Sequence, residues 1–436
     1  MMNCIYKKLA LTMLLLAFMQ GASSQVNTLI LGGVVYVNNS GNWEVSGIDT
    51  SDEGFPSDGV ITIQSTILVK EFENEDPREQ AVKTIQQQAF QNKTILRGVN
   101  ISDGIEVIGQ DAFDGCANIT SLILPPSLKV LGKGALRCGD NLRWIDFRQV
   151  EEPWEDLLLE GGVYQTPYDM GVPIYTLMYM PSWWHWSTDL FGDPLINVVY
   201  PDNGDLKCID FLYSSNTDYC VPWGFTAAQV RTNRSLTKDL SGAYSVCLPF
   251  PMPVPANSRV YSMSANTLPE GDKVMFRIIS GDMAANTPYL VMADEDVSLD
   301  FQNANGTSIP TTENAAPMST TIDGVTINGT FARISNSEAI SQSIYVLQSN
   351  NEWKPITTQN TSVTVPPFRA YLTFDNPPQA SFSIAFTDEP DPAHVERIPT
   401  ERYNNGCWYS LDGRRFPSAP TQPGVYIMNG RKMVIQ

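Results

Sequence analysis

The stretch IEVIGQDAFDGCANITSLILPPSLKVLGKGALRCGDNLRWIDF, residues 105–147, decides the fold because its pattern of apolar residues recurs after 23 positions. The pattern begins one copy earlier, so three segments of equal length follow one another: Val82–Gly104, Ile105–Ser127 and Leu128–Val150. Seven apolar columns align in the three copies, and in the first copy they are Val82, Ile85, Ala89, Phe90, Leu96, Val99 and Ile101. A strict period of this length indicates one supersecondary unit stacked on itself.

Each copy carries two local patterns. The last three columns, as in Leu96, Val99 and Ile101, end in an alternation that predicts a half-buried strand. The earlier Ile-x-x-x-Ala-Phe pattern, as in Ile108 to Phe113, has the spacing of a short helical turn. One such coil cannot bury its own apolar face, so the copies must stack and the end copies need covers.

The same segment resembles the BspA-like leucine-rich-repeat surface proteins of anaerobic gut and oral bacteria. The matching features are Ile-Gly before Ala-Phe, Gly-Cys after it, and Leu-Pro-Pro-Ser-Leu between copies. The third copy departs from the pattern, with Leu136 in place of Phe and Cys138 one position early. The resemblance implies a secreted or surface-displayed binding protein without catalysis, and buried cysteines at Cys116 and Cys138.

The whole chain predicts an α+β to mainly β fold, in which a short solenoid precedes an antiparallel β-sandwich and a hairpin tail. The sandwich is expected from short apolar runs broken by Pro, Gly and Asn turns. We predict seven segments: a signal peptide at 1–24, a strand-rich cap at 25–81, repeats at 82–150, an aromatic-rich cap or connector at 151–235, the sandwich at 236–387, a linker at 388–402 and the tail at 403–436.

Both ends of the chain have sequence features that are associated with export. Lys7-Lys8, an apolar run and small residues predict a secretory leader cleaved before Gln25. The apolar run is shorter than the roughly 20 residues of a membrane span, so we expect no spanning segment in the mature chain. In the tail, Asp412-Gly413 and Asn429-Gly430 predict two tight hairpin turns. The tail resembles C-terminal tails of the same bacteria, some of which are type IX sorting domains; a β appendage without a sorting role is the alternative.

Charge and composition exclude several classes of function. The net charge of −19 makes nucleic acid a poor partner, because cationic side chains must neutralise phosphate. The two histidines, His185 and His394, are too few for a histidine zinc site or a supported Ser-His-Asp relay, and no Cys-x-x-Cys occurs. We therefore predict no catalytic residue, no metal and no cofactor. A glycoside hydrolase needs only two carboxylates and stays a minor alternative.

Two surfaces are candidates for binding a protein or glycan ligand. The residues between the buried strand positions form rows, from which we select Ile123, Trp144, Asp146 and Arg148 because aromatic and Arg side chains dominate binding hot spots. Burial of this row under the next segment is the alternative. The second candidate is a polysaccharide platform, and its residues are Trp183, Trp184 and Trp186. A core role for these tryptophans is the alternative there.

One further pair of residues is a candidate disulfide. Cys208 and Cys220 are spaced so that a bridge would close a hairpin, and export permits disulfides.

Overall fold

The computed structural model describes residues 27–70, 75–151, 158–159, 163–164, 170–182, 196–238, 242–264, 274–378 and 381–388, and four strands between 408 and 435. The expected signal peptide and nearly all of the expected linker lie outside these residues. Within them the chain is mostly β, as the sequence predicts, and its described α-helix is short: α1 (Asn336–Ser341).

The N-terminal part and the repeats are built from short strands. They are β1 (Thr28–Leu31), β2 (Val34–Asn39), β3 (Asn42–Ile48), β4 (Val60–Ile63), β5 (Thr66–Val69), β6 (Arg78–Ile85), β7 (Gly98–Ile101), β8 (Val107–Ile108), β9 (Ser121–Ile123), β10 (Val130–Leu131) and β11 (Trp144–Asp146).

Each repeat contributes one strand to each of two parallel ladders. The column of Ile85, Ile108 and Leu131 lies in β6, β8 and β10, which pair in parallel and continue the antiparallel strands β1, β2 and β3. The column of Val99, Leu122 and Ile145 lies in β7, β9 and β11, which form the second ladder. The repeat therefore stacks as the period indicates.

The expected helical turn is present only as single turns, in which the N–H of Ala112 donates to Gly109 O at 3.3 Å and that of Asp114 donates to Asp111 O at 3.1 Å. Ile108 ends strand β8, and the residues after it form turns. The backbone N–H of Phe90 donates to Ala112 O at 2.8 Å, and that of Phe113 donates to Ala135 O at 3.0 Å. These N–H groups bind the next coil, so they are not available for the i→i−4 bonds of a helix.

The apolar columns fill the space between the two ladders. Phe90 stacks on Phe113 with ring centroids 5.2 Å apart, and Leu136 continues the column as a smaller side chain. Cys116 and Cys138 are fully buried, as the family resemblance implies, and Cys116 Sγ donates to Phe90 O at 3.0 Å. Their burial makes them packing groups at the coil turn.

The second ladder is longer than the three sequence repeats. The strands that follow β11 are β12 (Leu158–Leu159), β13 (Val163–Tyr164), β14 (Leu177–Tyr179), β15 (Val198–Asp202), β16 (Asp205–Tyr213), β17 (Phe225–Thr232) and β18 (Ser235–Leu236). β4 pairs in parallel with β7 before the repeats, and β14 and β15 continue in parallel after β11. The segment after residue 150 thus extends the solenoid sheet.

The candidate disulfide is absent, because Cys208 and Cys220 are both free thiols. The hairpin that it would close is also absent: β16 and β17 run in parallel, so the chain between them is a crossover. Cys208 lies buried within β16, opposite Ala227, whereas Cys220 lies half-buried in the crossover.

The C-terminal half forms a ten-stranded sheet. Its region contains β19 (Tyr244–Cys247), β20 (Ser258–Met263), β21 (Val274–Ile278), β22 (Pro288–Ala293), β23 (Val297–Ser298), β24 (Phe301–Ile309), β25 (Ser319–Ile322), β26 (Val325–Thr330), β27 (Tyr345–Leu347), β28 (Glu352–Pro355), β29 (Arg369–Phe374) and β30 (Phe382–Thr387). The sheet order is β19-β22-β20-β21-β30-β28-β27-β29-β26-β25. The sheet bends back on itself, so that β19 contacts β29.

The strand pairing in this sheet differs from that of the expected antiparallel sandwich. β21 pairs in parallel with β30, so the sheet is mixed. β24 leaves this region and pairs antiparallel with β17 of the solenoid sheet, which crosses the expected boundary at residue 236. Apolar alternation identifies a strand but not its partner, and the order of pairing was therefore not readable from the runs.

The tail forms a separate four-stranded sheet. Its strands are β31 (Trp408–Ser410), β32 (Arg415–Phe416), β33 (Gly424–Met428) and β34 (Arg431–Ile435). β31 pairs antiparallel with β32, and β33 with β34, which confirms both hairpins. The Asp412-Gly413 and Asn429-Gly430 turns themselves lie outside the described residues.

Candidate interaction surface

The outward row of the solenoid sheet changes from exposed to buried along its length. In register across the parallel strands, Thr62 pairs with Asn100, Asn100 with Ile123, and Ile123 with Asp146. Thr62, Asn100 and Ile123 are exposed, and Ile123 keeps 49% of its surface in solvent. The first three residues of the row are therefore exposed to solvent, and the fourth is buried.

Asp146 is buried, with 2% of its surface exposed, so the expectation that it contacts a ligand is wrong. Its Oδ1 accepts the backbone N–H and Nε–H of Arg148, both at 2.9 Å, and its Oδ2 accepts Nη2–H at 2.9 Å. Taking a carboxylate out of water is costly, and a guanidinium that hydrogen-bonds both of its oxygens offsets that cost. The main role of Arg148 is therefore to pair with Asp146 inside the protein.

Trp223 is the residue that covers this end of the row. Its ring lies 3.5 Å below the guanidinium carbon of Arg148 and makes edge contacts with Trp144 and Tyr179, with centroids at 5.4 and 5.0 Å. The hydroxyl of Tyr179 donates to Trp223 O at 2.9 Å, and burial raises the pKa of Tyr179 well above its ordinary value. Sequence reasoning missed Trp223, because no short-range pattern links the crossover to the repeats.

The exposed residues of this row and two half-buried rings beside it define what we call the strand-face surface. It is formed by Thr62, Asn100, Ile123, Trp144 and Trp223. Gly98 and Ser121 occupy the neighbouring row, ahead of Trp144 in register. Because Gly98 has no side chain and that of Ser121 is small, the sheet surface is shallow at these two positions. Asn100 Nδ2 donates to Thr62 Oγ1 at 3.5 Å. The surface has a polar edge, an apolar centre at Ile123 and an aromatic rim.

The described residues give no catalytic geometry to the other sequence candidates. Trp183, Trp184 and Trp186, and both histidines, lie outside the described residues. Among the described residues, the buried carboxylates are Asp146 and Asp210, and each is held by a guanidinium, Arg148 or Arg231. A search of the same residues finds no group of three His, Cys, Asp or Glu placed to hold a metal ion.

The described thiols are protonated at neutral pH. Burial raises the pKa of Cys116 to about 11 and that of Cys247 to about 12. Burial also raises the pKa of Cys208. A thiol must ionise before it attacks an electrophile or binds a metal, so these cysteines act as apolar packing groups.

Comparison with known proteins places the repeats in a family. The model for the "BspA type Leucine rich repeat region (6 copies)" matches residues 76–152. No curated protein matches the chain.

Three solved structures are similar at low identity. A leucine-rich repeat protein from Bacteroides capillosus ATCC 29799 is 17% identical, covers 27% of this chain and 96% of that one, with a TM-score of 0.21. A leucine-rich repeat protein from Bacteroides ovatus ATCC 8483 is 16% identical, covers 43% and 61%, and scores 0.20. A leucine rich cell surface protein from Faecalibacterium prausnitzii A2-165 is 12% identical, covers 44% and 72%, and scores 0.18.

Among the described residues, no helix has the length and apolar character required to cross a bilayer.

Proposed function

We propose that this chain is a secreted or cell-surface binding protein that adheres to a protein partner through the strand-face surface, because residues 76–152 match the model for a BspA-type leucine-rich repeat region. The observation that carries the proposal is Ile123, an isoleucine that keeps 49% of its surface exposed between Asn100 and Asp146 in the outward row of the solenoid sheet. In this proposal the chain has no catalytic role.

The chemistry of the surface suits a protein partner. Trp and Arg side chains contribute a large share of binding energy at interfaces. Here Trp144 and Trp223 form the rim, and the partly exposed Arg148 stacks on Trp223. Each ring is already fixed by its neighbours, so little side-chain entropy is lost when a partner covers it. The polar members, Thr62 and Asn100, supply donors and acceptors at the opposite edge.

A pair of matched substitutions tests the surface. Ile123→Asp places a charge at its centre, and Ile209→Asp places the same charge at an isoleucine of β16 that is 42% exposed. Wild type and both variants are passed over immobilised extracellular-matrix and cell-surface proteins. For a partner that binds wild type, we expect Ile123→Asp to weaken binding by about tenfold or more, a loss of about 1.4 kcal/mol.

The control decides the interpretation. Ile209→Asp should bind like wild type, and both variants should keep the wild-type Tm because both positions are exposed. Equal affinity of wild type and Ile123→Asp for every captured partner would remove the strand-face surface from the account.

A polysaccharide partner at Trp183, Trp184 and Trp186 stays a second proposal. Its support is compositional: three indoles within four positions cannot all point inward from one strand, and an exposed indole can stack on the apolar face of a sugar ring. A glycan array probed with wild type and Trp184→Ala tests it, and sugar binding that is indifferent to this substitution would contradict it.

Export is part of the proposal. Lys7-Lys8 and the following apolar run support cleavage before Gln25. N-terminal sequencing of the protein released from cells should begin at Gln25, and a retained Met1 would contradict it. The tail is proposed as a sorting segment, so removing residues 403–436 should lower the surface-bound fraction. An unchanged fraction would favour a plain β appendage.

A further inference from the structure

A cavity remote from the repeats is lined by two arginines. It has a volume of about 460 Å³ and lies where the connection around β18 meets β19, β27 and β29. Arg234 and Arg369 face it, with the apolar Val346 and Val365 and the polar Gln348 among the other lining residues. Cavities that hold small ligands usually measure roughly 300–1,000 Å³, so this one admits a molecule of monosaccharide size.

Among the described residues, which leave out 239–241, neither guanidinium has a carboxylate partner. Arg234 donates from Nη2 to Ser245 O at 3.0 Å, and its guanidinium lies 5.9 Å from the ring centre of Tyr244. Arg369 donates from Nη1 to Pro367 O at 3.2 Å. Each guanidinium has five N–H donors, so most of the ten are not used by these bonds.

The two charges are close enough to repel each other. Burial, followed by repulsion from Arg369, lowers the pKa of Arg234 to about 9. Burial lowers the pKa of Arg369 to about 10. Both values lie above neutral pH, so both side chains are cations at pH 7. Two half-buried cations close to each other cost folding free energy, and an anion bound between them would offset part of that cost.

We propose that this cavity binds a small organic carboxylate, held by Arg234 and Arg369 with its apolar face against Val346 and Val365. Guanidinium groups bind carboxylates through two parallel hydrogen bonds, and the cavity combines that charge with apolar walls. The site is independent of the strand-face surface. A sugar acid and the C-terminal carboxylate of a short peptide share this chemistry.

Calorimetric titration of the full chain distinguishes the two sources. The probes are D-glucuronate for a sugar acid and N-acetyl-L-leucine for a peptide C-terminus, with D-glucose and N-acetyl-L-leucine amide as their neutral counterparts. We expect one of the acids to bind and its neutral counterpart to bind at least about tenfold more weakly. No binding of either acid, or equal binding of acid and neutral counterpart, overturns the proposal.

Variants locate the binding. Arg369→Gln should weaken binding of the acid by about tenfold or more. Lys354→Gln, which removes an exposed charge on β28, should leave the affinity for the acid unchanged. Gln348→Trp should block the cavity while both arginines remain, which keeps the test decisive if Arg369→Gln fails to fold. Acid binding that survives Gln348→Trp or is equally lost in Lys354→Gln overturns the site.

Discussion

Asp146 shows how a single residue changes role once its neighbours are known. In the repeat pattern it lies in an outward row, yet its three hydrogen bonds to Arg148 and the cover of Trp223 place it inside. We expect Asp146→Ala to destabilise the protein by about 3 kcal/mol, because it leaves a guanidinium without its counter-charge. Urea unfolding checks this, and a change below about 0.5 kcal/mol would mean that the pair is unimportant.

Tyr36 gives a second prediction at this scale, in the pH dependence of stability. It is fully buried, its hydroxyl accepts the Gln64 N–H at 2.8 Å, and burial raises its pKa to about 12. The unfolded tyrosine ionises near pH 10 while the folded one does not, so its stabilisation is complete below pH 10 and is lost as the pH rises toward 12. Tyr36→Phe should therefore lose less stability than wild type between pH 9 and 11 in urea unfolding. An identical loss would contradict the burial of this group.

Stacking of the coils depends on glycines at the point of closest approach. A Cβ added to Gly132 would lie 2.3 Å from Gln110 N and 2.6 Å from Gly109 C, both backbone atoms of the preceding coil. We expect Gly132→Ala to cost about 1–3 kcal/mol by forcing the coils apart. Gly98→Ala is the control, since its Cβ would meet Val60 side-chain atoms at 3.4 Å. Equal Tm values for the two variants would contradict this packing.

The elements were predictable from the sequence to the extent that their pattern is local. The columns through Val99 and Phe90 follow from periodicity, and the tail hairpins follow from turn chemistry. The extension of the ladder to β4 and β14 was not predictable, because the chain between those strands and the repeats breaks the 23-residue period. Trp223 was missed for the same reason.

At the scale of the whole molecule, the solenoid and the C-terminal half share a core. Phe211 of β16 contacts Phe225 and Phe250, with centroids at 5.3 and 6.3 Å, and β24 completes the sheet beside β17. A chain cut after residue 235 would expose these rings and leave β17 as an open edge. We expect residues 25–235 alone to aggregate or to melt well below residues 25–402 in calorimetry. A shorter chain that keeps the Tm of the longer one would contradict a shared core.

The central claim is that a protein partner covers the strand-face surface, and photo-crosslinking tests it most directly. A benzophenone amino acid is placed at position 123 in one protein and at position 209 in another, and each is irradiated with a partner that binds wild type. The account predicts a crosslinked complex from position 123 and none from position 209. Crosslinking from position 209 alone would contradict it.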